Sequence, residues 1–298
     1  MQTLATVFLW LMIYSFIGWA YESTLCSITG HKLVNRGFLN GPICPVYGFG
    51  ALIIIFALGS EADSSVLTLF LASAVLTCTL EYITSWLLEK LFHAKWWDYS
   101  KYRFNINGRV SLLGGLVFGF LGVLVLKVVH PFVRGIVDSL PLFWLYVISA
   151  TLFCILVADI IVTVKSILTL NHKLEEIQAA INLEKEKSRQ RFADFREQLQ
   201  ERAGDLRESL QERANDVKDT LQERGVDLDE LRDNLQTRKD RLLERFENSE
   251  FNTAKIKALL SQRKFTERRL LDAFPKLQST NHNDALESVR AKLKKRKK

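Results

Sequence analysis

Three carboxylates, Glu22, Glu81 and Asp159, stand inside or at the end of long apolar runs. An ionisable group in hydrocarbon costs about 3 kcal/mol even on a lenient insertion scale, so such groups turn inward and find a partner. Ser15 and Gly18 precede Glu22, Ser73 and Thr77 precede Glu81, and Thr163 follows Asp159, all at spacings of three or four residues. That period puts hydroxyls and carboxylate on one helix face. Such a stripe either lines a polar cavity able to hold a solute or ion, or hydrogen-bonds between helices. The cations nearest in the chain's polar segments are Arg36, Arg103 and Arg109. Arg109 is the expected partner of Glu81; the alternative is that all three carboxylates are ion-pair partners of loop arginines and only hold the helices together.

The elements that must position these groups follow from composition. Residues 1–170 hold 18 of the charged side chains and residues 171–298 hold 55. No single packed domain shows such a contrast, which excludes a soluble enzyme of uniform composition. Crossing a bilayer takes about 20 apolar residues, and five stretches satisfy this: 4–21, 43–59, 65–88, 111–130 and 141–168. The first lacks the basic start and small-residue cleavage site of a secretory signal and is expected to be retained. Lys32 and Arg36 follow the first stretch, and Lys90, Lys95, Lys101, Arg103 and Arg109 follow the third. The loop after the second carries only Glu61 and Asp63. Basic loops stay inside, so the amino terminus is expected outside and the tail in the cytoplasm. Glu22, Glu81 and Asp159 then lie at similar depth toward the cytoplasm, and Lys127 snorkels at the outer end of the fourth span.

Segment 35–50 holds Gly37, Gly41, Gly48 and Gly50 with Pro42 and Pro45. It is either irregular backbone lining a wet cavity or a proline-capped helix start. Ser111, Gly115 and Gly119 recur every four residues, with Gly114 and Gly122 beside them, the pattern of close helix packing. Segment 92–109 mixes Trp96, Trp97, Tyr99 and Tyr102 with basic residues. It suits an interfacial anchor, or else a cytoplasmic lid or docking surface. The four cysteines form no C-x-x-C pair and the five histidines are scattered, so neither a metal site nor a nucleophile constellation is expected. No catalytic residue and no cofactor is predicted, and the chain is not read as an enzyme.

Tyr14-Ser15, Gly18-Trp19 and Glu22, then Asn35 to Gly48, then Leu80-Glu81-Tyr82, Trp96 to Ser100 and Phe104 to Arg109 carry a resemblance. Over about residues 5–165 the chain resembles the CmpB-like membrane family, labelled a type IV ABC-transporter permease. The resemblance points to Glu22, Asn35, Arg36, Gly37, Asn40, Gly41, Pro42, Tyr47, Glu81, Trp97, Asp98, Asn107, Gly108 and Arg109 as positions of interest. It implies an ATPase partner, and since no G-x-x-x-x-G-K-[ST] occurs here, that ATPase is a separate polypeptide.

The tail begins without Pro or Gly from 171 to 203, predicting a helix that continues the fifth span. Leu199-Gln-Glu-Arg then recurs at Leu210 and Leu221, an eleven-residue period of nearly straight helical packing. A coiled coil that makes the chain a homo-oligomer is the first reading; an amphipathic helix on the bilayer and a solvated single helix are the others. The basic end, 292–298, suits anionic lipid or solvent, and no specific nucleic-acid partner is expected. The expected architecture is all-α: a five-helix membrane bundle over 1–170, a cytoplasmic helical region over 171–274 with repeats near 195–227, and a disordered basic end over 275–298. Two functions compete, a permease-like subunit with a carboxylate-lined cavity and a membrane scaffold recruiting partners through its coiled coil.

Overall fold

The computed structural model describes residues 2–31, 33–212 and 265–295. They fall into two units, Met1–Glu175 with Gln262–Lys298, and Glu176–Ser261. The first contains α1 (Gln2–Gly30), α2 (Pro45–Leu58), α3 (Val66–Phe92), α4 (Leu112–Leu124) and α5 (His130–Asp138). It also contains the start of α6 (Leu142–Glu212), then α7 (Phe265–Ala273) and α8 (Asn283–Lys295). Strands β1 (Ala94–Lys95), β2 (Asn105–Ile106), β3 (Val110–Ser111) and β4 (Gln278–Ser279) are two residues each.

Among the described residues, four helices are long and apolar enough to cross a membrane: α1, α3, the α4–α5 rod over Leu112–Asp138, and α6. The second expected span differs. Its helix α2 has 14 residues, about 21 Å at 1.5 Å per residue against a hydrocarbon core of about 30 Å. Pro45 sits in its first turn, where a missing N–H costs nothing. The Cys44 N–H just before it donates to the Ser15 carbonyl at 2.9 Å, halfway along α1. The helix therefore begins deep in the bundle, and residues 33–44 cover the other half of the distance as irregular backbone.

Glycine decides how closely α2 approaches α1. A Cβ on Gly18 would overlap the Tyr47 ring, and one on Gly48 would overlap Ser15 and lie 2.6 Å from the Leu11 carbonyl. The stripe on α4 packs within the chain, against α3: a Cβ on Gly119 would stand 2.9 Å from the Phe70 carbonyl, and one on Gly122 would overlap Ser73. Gly122→Val is thus expected to cost about 3 kcal/mol through overpacking. Gly135→Val, where a Cβ meets nothing within 4 Å, should melt near the wild-type temperature in the same detergent.

Helices α4 and α5 join through a π-turn, Val125–Val129, closed by the His130 N–H on the Val125 carbonyl. Pro131 explains the turn, because it cannot donate and its ring would clash with the carbonyl four residues back. Around this end Leu9, Tyr14, Ala51, Ile55, Val133, Val137 and Leu145 form one buried cluster. Phe56, Val75, Phe120, Phe132 and Phe143 stay more than half exposed, as side chains against lipid would.

The basic end departs from expectation. Residues 275–298 are predicted to be disordered, yet up to 295 they carry β4 and α8. Strand β4 pairs antiparallel with β1, Ala94 opposite Ser279 and Lys95 opposite Gln278. Leu270, Phe274, Leu277, Leu286 and Val289 are all buried. The sequence offers this segment enough apolar area to pack once a partner surface exists, although its charge suggests solvent.

In the second unit, α6 carries the predicted helical run and passes through Gly204 to Glu212. Leu199 is 46% exposed. The repeats at 221 and beyond lie outside the described residues, as do 251–264.

Candidate functional site at the broken second crossing

The loop 33–44 is held from within and from both neighbouring helices. Asn35 Oδ1 accepts from Trp19 Nε1 at 2.7 Å and from the Gly37 N–H at 3.2 Å, while its Nδ2 donates to the Asn40 carbonyl at 2.8 Å. From α1, Ser27 Oγ accepts from the Val34 N–H and Ser23 Oγ from the Arg36 N–H. Pro42 bridges a tight turn closed by the Ile43 N–H on the Gly41 carbonyl at 2.9 Å, the inverse γ form that suits proline's fixed φ. A Cβ on Gly37 would crowd the Ile43 carbonyl at 3.1 Å.

Asp159 closes the loop from α6. Its Oδ1 accepts from the Asn40 N–H at 3.0 Å and its Oδ2 from the Gly41 N–H at 2.8 Å. Asn40 Nδ2 donates to Thr163 Oγ1 at 2.8 Å, and a Cβ on Gly41 would stand 3.0 Å from Asp159 Oδ2. Both oxygens of one carboxylate thus satisfy two consecutive backbone N–H groups of the loop. Asp159 therefore positions the loop.

Of the other two carboxylates, Glu22 reaches the loop through Arg36 and Glu81 meets Tyr99. Glu22 Oε1 accepts from the Tyr47 hydroxyl at 2.7 Å, and Glu22 Oε2 lies 3.6 Å from Arg36 Nε. Glu81 is 8% exposed; its Oε1 accepts from the Tyr99 hydroxyl at 3.3 Å. Its Oε2 is buried with no hydrogen-bond partner among the described residues. Burial and the Glu81 and Glu22 charges push the Tyr99 hydroxyl well above the ordinary phenol range, with Arg36 opposing. Tyr99 thus stays protonated and donates. The cluster joins an ion pair, two tyrosine donors and one open carboxylate oxygen.

Arg109 does not join it. The expected pairing with Glu81 is replaced by Glu89: Arg109 Nη2 lies 2.6 Å from Glu89 Oε2, and its guanidinium sits 5.3 Å over the Tyr82 ring. The cause is the hairpin β2–β3. Asn107 (φ 52°) and Gly108 (φ 68°) are left-handed, and the Arg109 N–H closes the turn on the Ile106 carbonyl at 2.9 Å. Asn-Gly is the pair this turn demands; that signal was available in the sequence. Asn107 Nδ2 donates to Tyr82 OH at 3.0 Å and Trp97 Nε1 to the Arg109 carbonyl at 3.0 Å. Asp98 accepts from the Ser100 N–H and hydroxyl, both at 2.9 Å, which hold it below the usual carboxylate range. These motif residues build the hairpin that carries Tyr99. In a double-mutant cycle Arg109→Gln should couple to Glu89→Gln by on the order of 1 kcal/mol and add independently with Glu81→Gln.

Two predicted lining residues are structural. Thr77 Oγ1 donates to the Ser73 carbonyl of its own helix at 2.6 Å, and Ser15 is buried against the α2 glycine. Sequence reasoning gave Tyr99 and Tyr82 no role in the site, and it missed His130, which meets Tyr14 OH at 3.0 Å.

None of the curated proteins and none of the solved structures compared with this chain matches it. Residues 9–164, just over half of the chain and including the whole loop, α2 and most of α1, match the family described as "Putative ABC-transporter type IV", and the chain belongs to that family.

Proposed function

We propose that the chain is the permease-like membrane subunit of a transport system, working at the Glu22–Arg36–Tyr47–Glu81–Tyr99 cluster. The observation that carries this reading is the irregular backbone of residues 33–44 leading into the short apolar helix α2. Irregular backbone at membrane depth is sustained where it is buried in protein or borders a solute path, and discontinuous helices are how many transporters expose polar groups midway. Glu81, with its open oxygen, is the group that would meet the transported solute or ion, and Arg36 can exchange Glu22 for an anionic group. The basic residues of 31–36 and 90–109 support an orientation with this end of the bundle at the cytoplasm, the amino terminus outside and α6 leading inward. A separate ATPase would engage the hairpin 94–111, and the thin apolar stripe on α6 would bring copies together.

Mild crosslinking in native membranes followed by mass spectrometry tests the assignment. A stoichiometric ATPase crosslinked to residues 94–111 is the expected finding. Recovery of the chain only with itself, or with envelope proteins joined through the tail, would favour a membrane scaffold instead.

A further inference from the structure

The carboxyl-terminal segment sits on the motif loop through contacts too specific for a solvated basic end. Arg269 Nη1 donates to the Gly37 carbonyl at 2.8 Å and Nη2 to the Phe38 carbonyl at 3.1 Å. Burial lowers the Arg269 guanidinium from its usual value while the Asp159 charge raises it. In return Arg36 donates to the Ala273 carbonyl and lies 4.9 Å over the Phe274 ring. Phe274 packs edge-on to Trp96 at 5.0 Å. The strand pairing β1–β4 and the Thr280 N–H on the His93 carbonyl at 3.0 Å fasten the far side.

We propose that residues 265–295 are an intramolecular cap that controls access to the Glu22–Arg36–Glu81 cluster, with Arg36 as the shared element. The same guanidinium holds Glu22 through Nε and the cap through Nη1. An anionic carboxylate- or phosphate-bearing group that draws Arg36 away from Glu22 loosens the cap, and cap release frees Arg36 for such a group. The coupling follows from geometry, because one planar guanidinium offers a limited set of donors in fixed directions. This rests on the functional reading of the cluster, but the test below reads the cap alone.

Cys44 is the natural reporter. It is buried at 7% exposure, and its thiol feels the charges of Glu22, Arg36 and Arg269. In a chain whose only native thiol is Cys44, held in nanodiscs, its reaction with a maleimide is followed by peptide-resolved mass spectrometry. Arg269→Ala removes two charge-assisted bonds and is expected to speed labelling about tenfold or more. Ala94→Cys with Ser279→Cys supplies a lock. The two residues face each other as a non-hydrogen-bonded pair about 4.5 Å apart at Cα, within disulfide reach. Locked, the chain should label several-fold more slowly at Cys44 than the same chain reduced, and the lock should abolish the Arg269→Ala effect. Equal rates locked and reduced would overturn the cap. So would an Arg269→Ala acceleration that persists with the lock closed, which would mean the loop itself had loosened. The lock comparison stands even if Arg269→Ala fails to fold.

Discussion

Asp159→Ala is expected to release the loop 33–44 from the bundle, with a loss of about 3 kcal/mol for two N–H groups left without their charged acceptor. The Asn40 and Gly41 amides both lose the acceptor they have in the bundle once the carboxylate goes. Trypsin cleavage after Arg36 reads the release directly, and a thermal melt in detergent reads the loss of stability. Asp159→Asn keeps one carbonyl acceptor and turns an amide donor toward the other N–H, so it should fall between wild type and alanine. An alanine variant that melts like wild type and resists trypsin at Arg36 would mean the loop is held by the Asn35 network alone.

Glu81→Gln should separate function from folding. The amide oxygen still accepts from Tyr99, and the unpartnered oxygen is replaced by an uncharged NH2 that breaks no existing hydrogen bond. The melting temperature is expected to stay within a few degrees, while ATP turnover by the chain assembled with the separate ATPase proposed above falls at least tenfold. Glu22→Gln should behave differently. It breaks the Arg36 contact and weakens the Tyr47 bond, for about 1–2 kcal/mol, so stability and turnover fall together. If Glu81→Gln instead collapses the fold, its carboxylate is a structural group and the working site lies elsewhere.

Much of this arrangement was legible in residue types. Hydropathy located five apolar stretches, four of which fall on long apolar helices among the described residues, and the glycine periodicity of α4 is a packing face. Intramembrane charge singled out Glu22, Glu81 and Asp159, and the motif loop was recognisable from its glycines and prolines. Partner identity was not legible. The depth argument brought Arg109 near Glu81, but the Asn107-Gly108 turn swings it to Glu89 instead. Helical periodicity cannot see such a turn, since two-residue strands leave no hydrophobic pattern. The length of α2 was hidden for a related reason. Residues 43–59 are apolar throughout, and apolarity reports burial without saying whether the backbone is helical. The docking of α7 and α8 depends on contacts more than 200 residues distant in sequence, such as Arg269 with Gly37, which no local reading reaches.

The functional reading stands on loop 33–44 and α2 together crossing the bilayer, and thiol labelling in native membranes tests this most directly. Single cysteines replacing His31 and Ser60, in a chain freed of its own thiols, would be exposed to an impermeant maleimide before and after permeabilisation. The account predicts that the two ends label from opposite sides, position 60 from outside and position 31 only after permeabilisation, so that loop and short helix together span the bilayer. Labelling of both from one side would make the segment a re-entrant hairpin and contradict the account.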